Sequence, residues 1–176
     1  GLSGWGYENV LPYFRKQEDW EGGPSHYRGV GGPIGTVTSG YADPLMDAYA
    51  QASQDAGHDW TDDYNAEKQE GFARMQLTLR KGRRSSTAAG YIRPARKRKN
   101  LTVLTRALVA SIRQENGQAT GVEYERDGKK HFAAARSEVI VSAGAFNSPQ
   151  LLMLSGIGDP DALARQVRGR PDGVRR

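Results

Sequence analysis

The period of the hydrophobic positions changes several times along the chain, and each change marks an element. Near the start, Val10, Leu11 and Phe14 fall on one side while Glu8, Arg15, Lys16 and Glu18 lie away from it, which predicts a turn and then a short amphipathic helix. Residues 21–35 are dense in glycine and proline and read as a loop leading into a short strand near Ile34 to Thr38. Asp43 as a cap, Pro44 at the first helical position and Gly57 as a left-handed stop bracket a second helix. Within it Leu45, Tyr49, Ala52 and Ala56 form one stripe, expected to be buried. From Phe72 to Arg80 the pattern alternates: Ala73, Met75, Leu77 and Leu79 face one way, Arg74, Gln76, Thr78 and Arg80 the other. A half-buried strand is predicted there.

Four β-like runs follow, at residues 101–105, 108–113, 119–127 and 129–135. Asn116 to Gln118 and Asp127 to Gly128 supply residues that tolerate positive φ, so successive runs should pair as hairpins. Val139, Ile140 and Val141 are consecutive and β-branched, as in a strand buried on both faces of a parallel sheet. That run ends in small residues, after which Ser148 and Pro149 offer a cap and a first helical position. The order of elements is mixed α and β, with no internal repeat.

Composition narrows this picture. A chain of 176 residues, 37% hydrophobic and 26% charged, has room for one domain or parts of two. No apolar run reaches the roughly 20 residues of a membrane span and no secretory signal is visible, so a soluble cytoplasmic protein is expected. The absence of cysteine excludes disulfides, thiolate catalysis and cysteine-held zinc. His26, His58 and His131 lie far apart and form no close-spaced metal-ligand pair, so surface or packing roles are expected. Arg80, Lys81, Arg83, Arg84, Arg93, Arg96, Lys97, Arg98 and Lys99 follow one another with no acidic residue between, which more than accounts for the net charge of +5. Such a stretch suits phosphate, an acidic partner, or a solvated loop and helix end. Aromatic interleaving is limited to Tyr91, which argues against nucleic acid as a partner.

The densest information lies from Ser142 to Gly158, where a strand stops at small residues, turns, and opens a helix that stops at a glycine pair. This is a physical recipe for approaching a phosphate or nucleotide, and also a common packing turn. The run Gly144, Ala145, Phe146, Asn147, Ser148, Pro149, Gln150 and onward to Gly158 resembles the second signature of the glucose-methanol-choline (GMC) oxidoreductases. Earlier segments resemble the same family in the same order: GWGYENVLPYFRKQED, HYRGVGGPIG, KGRRSSTAAGYIRPA, NLTVLTRALVASI and GVEYERDG. The likeness covers about Gly1 to Leu163 and is nearest the choline-dehydrogenase branch.

The resemblance implies FAD as cofactor and an alcohol substrate. It implies that residues 1–94 belong to a substrate or cap region and 95–163 to a Rossmann-like FAD-binding domain whose hairpins are its β-meander. By the same resemblance Val109 matches the position whose backbone meets the adenine, Ser142, Ala143 and Gly144 the strand end beside adenosine and pyrophosphate, and Asn147, Ser148 and Pro149 the turn behind them.

The departures carry equal weight. The family's GxGxxG fingerprint is absent, since Gly29, Gly31, Gly32 and Gly35 lack its spacing and Pro33 sits among them, so that cluster reads as a loop. The family's catalytic histidine has no counterpart here. Trp5, Tyr7 and Trp20 crowd the start, and five arginines occupy the last 12 residues of an atypical tail, 164–176, so an internal fragment is expected. Two alternatives stay open: a non-catalytic module that associates with itself, and a serine hydrolase using Ser85, Ser86, Ser142, Ser148 or Ser155 with one of the histidines as base. No GxSxG elbow supports the latter.

Overall fold

The first amphipathic run forms a helix, α1 (Tyr7–Gln17), after a single 3-10 turn at Ser3–Trp5. The computed structural model describes residues 2–168, with the chain dividing after Leu101 into two units that are treated separately. Val10 and Leu11 are half-buried on α1, whereas Phe14 is mostly exposed. β1 (Glu18–Trp20) follows without a break and runs parallel to β2 (Ile34–Thr38). The predicted second helix is α2 (Pro44–Asp55): the Leu45 amide donates to Asp43 Oδ1 at 2.8 Å, and Gly57 turns the chain at φ 86°.

Two expectations in this unit are corrected. The α2 stripe is not buried, because Leu45 and Tyr49 are 75% and 61% exposed, and the helix seats instead on enclosed Ser53 and half-buried Ala50. Of the large residues, Tyr49 still meets Phe72 edge-on at 5.5 Å between ring centres. The single strand from Phe72 to Arg80 is two short ones, β3 (Gln76–Leu77), antiparallel to β2, and β4 (Leu79–Arg80). Alternation fails at Gln76, whose side chain turns inward to donate to Asp63 Oδ1 at 2.8 Å and accept from Asn65 Nδ2 at 2.7 Å, leaving Met75 outside. A satisfied amide outcompetes a thioether for the inward position when its partners are already there.

β4 pairs with β5 (Arg83–Arg84) through a turn with φ of 51° at Lys81 and 68° at Gly82, the geometry of a primed hairpin turn. A π-helical turn at Ala88–Ile92 then runs into α3 (Arg93–Ala95). The basic stretch therefore lies on a hairpin tip and a helix end, and Lys81, Arg83, Arg84, Arg93 and Arg96 to Lys99 are exposed.

The second unit is built on a meander of β6 (Leu108–Glu115), β7 (Gln118–Arg126) and β8 (Lys129–Ala134). Both turns place two residues at positive φ, Asn116 and Gly117, then Asp127 and Gly128, as their sequences predict. The run at 101–105 forms no strand, and Val103 and Leu104 are exposed, so the meander has three strands rather than four.

Beyond it come α4 (Gly144–Leu154) and α5 (Pro160–Arg168). The Val139–Val141 run forms no strand among the described residues, with Ile140 78% exposed. A strand apolar on both faces needs neighbours on both edges, and among the described residues none bonds to it. Helix α4 also starts earlier than predicted. Ser148 and Pro149 lie inside it, Pro149 removing the bond to the Ala145 carbonyl and Ser148 turning its hydroxyl back to accept from the Ala143 amide at 3.0 Å. Of the expected tail, residues 164–168 continue α5 and 169–176 lie outside the described residues.

Enclosed positions are few among the described residues: Ile112 and Gly121 in the second unit, and in the first the polar Arg28, Ser53 and Ser85 with Gly29, Gly32 and Gly35. The architecture is mixed helix and sheet, held in the first unit more by backbone approach and ion pairing than by aliphatic packing.

Candidate functional site

At the start of α4 small residues leave the backbone open, with the Phe146 side chain 90% exposed on the first turn. Ser142, Ala143 and Gly144 are exposed, Gly144 adopts φ 92°, and nothing lies within 4 Å of where a Cβ would stand on it. No side chain caps the helix, so its first-turn amides are left to an outside acceptor, with the positive end of the helix dipole behind them. The Ala143 amide alone is spoken for, by Ser148 Oγ. Asn147 and Pro149 are exposed on the same first two turns.

The far end of α4 is tied to the meander. Gly156 turns at φ 77°, and its amide and that of Ile157 return to the Met153 and Leu152 carbonyls at 3.0 and 2.9 Å, a Schellman stop. Ser155, at that stop, accepts from the Ile112 amide at 2.8 Å and donates to the Leu151 carbonyl at 2.7 Å, while its own carbonyl accepts from Gln114 Nε2 at 3.3 Å. Ile112 stands three residues beyond Val109 on β6, which is 38% exposed and faces Tyr124 on β7 across a bulge. The residues singled out in sequence thus fall on two elements joined by one serine.

Across the meander, Glu123 on β7 takes hydrogen bonds from Arg113 and from Ser111, and the Arg113 guanidinium lies 4.8 Å over the Phe132 ring. The Arg113 hydrogen bond, then that of Ser111, holds the Glu123 carboxyl below the usual carboxylate range, with the Arg113 and Lys130 charges adding. A depressed carboxyl contributes stability above its unfolded pKa, and that contribution disappears as pH falls through the lower folded value. The urea midpoint of the meander, followed by amide exchange, should therefore fall as pH drops through and below the ordinary carboxylate range in the wild type. Glu123→Gln should flatten that dependence; an unchanged slope would refute it.

In the first unit a cavity of about 690 Å³ opens between α1 and the β1–β2–β3 sheet. Tyr7, Phe14, Tyr27 and Tyr64 contribute aromatic wall, and burial, with Glu67, Tyr7 and Glu8 nearby, pushes the Tyr27 hydroxyl up. Its charged floor is internally neutralised: Arg28 meets Glu18 at 3.1 Å and Asp63 at 3.5 Å and lies 4.0 Å over the Trp20 ring. The glycine loop is spent on this packing. A Cβ on Gly29 would stand 1.8 Å from the Arg15 carbonyl oxygen, and one on Gly32 2.3 Å from the Gln17 carbonyl carbon. These glycines serve close approach to α1, as the loop reading expects.

The hydrolase alternative finds no support in the geometry. Ser85 accepts from the Gly35 amide, Ser86 from that of Ala89, Ser148 from that of Ala143 and Ser155 from that of Ile112. Among the described residues none of the five serines bonds to a histidine. His26 packs on Tyr27, His58 near Phe72 and His131 flat against Tyr124. Among the described residues there is no metal-ligand cluster and no helix long and apolar enough to cross a membrane.

The family model described as GMC oxidoreductase matches residues 1–171. The oxygen-dependent choline dehydrogenase of Rhizobium etli is 51% identical over 90% of this chain, and that of Photobacterium profundum 47% over 95%. The chain spans 29% of the first of these relatives and 30% of the second. Among solved structures, pyridoxine 4-oxidase from Mesorbium loti matches with a TM-score of 0.82 at 32% identity, and an FAD-dependent oxidoreductase from Chaetomium thermophilum with 0.81 at 25%. They cover 92% and 96% of this chain, which covers 32% of each of theirs. All four carry the names of oxidoreductases, and none that of a hydrolase.

Proposed function

We propose a function from one premise: the chain belongs to the GMC oxidoreductase family. In that reading it forms part of an FAD-dependent oxidoreductase acting on a small choline-like alcohol. Residues 95–163 contribute wall to the adenosine side of the cofactor, and residues 1–94 form part of the substrate or cap region. When bound, the flavin supplies the hydride acceptor for the alcohol carbon.

The carrying observation is the bare start of α4. Gly144 at φ 92°, with open space where a side chain would be, and an uncapped first turn fit a group that must press phosphate or ribose against backbone. Ser142, Ala143 and Gly144 would lie against it, Val109 would offer β6 backbone to the adenine, and Asn147, Ser148 and Pro149 would hold the turn from behind. Gly29 and Gly32, by contrast, are closed off by α1 and β1.

The test is titration of the chain with FAD and with ADP, followed by flavin fluorescence and calorimetry. Both ligands should bind at one site, and Gly144→Val, which places a branched side chain over the bare backbone at a φ it resists, should weaken both by about tenfold or more. Absence of binding by either ligand would remove the cofactor from this chain.

A further inference from the structure

We propose that Ser155 is a positioning residue for the dinucleotide, holding Val109 and the start of α4 in register although it lies at the opposite end of the helix; this rests on the cofactor reading above. The meander ends on β6, an edge strand whose outward amides have no neighbouring strand. Ile112 pairs with Val122 while its amide goes to Ser155, so that amide points away from β7. The stop of α4 occupies this edge. Ser155 Oγ takes the Ile112 amide at 2.8 Å and its carbonyl takes Gln114 Nε2 at 3.3 Å, two positions further along the same edge.

The hydroxyl also donates to the Leu151 carbonyl at 2.7 Å, so one side chain bonds strand and helix at once. Both functions of the hydroxyl, donor and acceptor, are used. Ile112 is also the enclosed aliphatic side chain of this unit, so its backbone has little freedom to drift. Val109 stands three residues away, past the bulge between Val109 and Ser111, and a second register shift lies between Arg113 and Gln114. Loss of the serine bond therefore frees the short regular stretch Ser111 to Arg113 between the two shifts, and leaves the amide of enclosed Ile112 without a partner.

Two measurements test this on the full chain. Hydrogen exchange at the Ile112 amide should accelerate at least tenfold in Ser155→Ala, while Val122 and Glu123 on β7 hold their protection; Ser155→Thr, which keeps the hydroxyl, should restore it. ADP and FAD affinity should fall by about fivefold in Ser155→Ala and recover in Ser155→Thr. Ser111→Ala, the same change on the same strand at a bond to Glu123, should leave both affinities within about twofold. If the wild type binds ligand and Ser155→Ala binds it equally, the positioning role is overturned while the cofactor reading stands. If the wild type binds neither ligand, the cofactor reading falls and the positioning role with it, whatever Ile112 exchange shows.

Discussion

Gly29→Ala should strongly destabilise the first unit. The added Cβ would stand 1.8 Å from the Arg15 carbonyl oxygen, 2.5 Å from its carbon and 2.8 Å from its Cα, all backbone at the end of α1. No rotamer change can relieve that. Either α1 or the loop must move by more than an ångström, and the loop is held by its own bonds: Trp20 donates to the Gly29 carbonyl at 2.9 Å and Gly29 to Glu18 Oε2 at 3.1 Å. Overpacking alone costs about 1–3 kcal/mol and each lost buried bond about 1 more, so about 3–5 kcal/mol is expected. Small units hold only about 5–15 kcal/mol in all. The three tryptophans, Trp5, Trp20 and Trp60, all lie before Leu101, so tryptophan fluorescence in urea reports this unit alone. A Gly29→Ala midpoint equal to wild type would show that the loop does not pack as described. The same variant separates two meanings of a glycine cluster, since a phosphate-binding glycine would lose ligand affinity and keep its fold.

How far the sequence reveals this molecule depends on the range of the interactions. Asp43, Pro44 and Gly57 bound α2, and the AsnGly and AspGly turns set the meander, because caps and primed turns are decided within four residues. The failures are all questions of what lies opposite. Leu45 and Tyr49 have the spacing of a buried stripe, and Val139 to Val141 the composition of a central strand, yet Leu45, Tyr49 and Ile140 stay mostly exposed because periodicity names a face without supplying its partner. The chain spans about 30% of its relatives, so a pattern fitted to a larger core is read here against a smaller one. In the candidate site the small-residue run before α4 is legible from composition. Its tie to β6 is not, because Ser155 and Ile112 are 43 residues apart and a serine beside a glycine reads as a turn. The Arg28–Glu18 pair escapes sequence reading for a related reason: buried ion pairs leave no local signature, and Glu18 has the spacing of the polar side of a helix it does not belong to.

That pair gives the second large effect. Glu18→Ala should destabilise the first unit by about 3–5 kcal/mol, the range for removing one partner of a buried ion pair. Glu18 is a hub: its carboxylate accepts from the Gly29 amide at 3.1 Å and Thr36 Oγ1 at 2.8 Å, and pairs with Arg28 at 3.1 Å. Its removal strands a guanidinium whose side chain is 6% exposed and whose Nε already lacks a partner among the described residues, leaving Asp63 at 3.5 Å as the remaining countercharge. Arg28→Met should cost less. It keeps an unbranched chain against the Trp20 ring and leaves Glu18 two neutral donors, with its side chain 15% exposed and nearer water. In the double variant the stranded charge is gone, so the loss should fall short of the sum of the singles by at least about 1 kcal/mol, as a coupling of residues in contact requires. Tryptophan fluorescence in urea measures all four corners of the cycle. A Glu18→Ala loss under about 1 kcal/mol, or strict additivity, would mean that backbone approach at the glycines holds this loop and the ion pair only accompanies it.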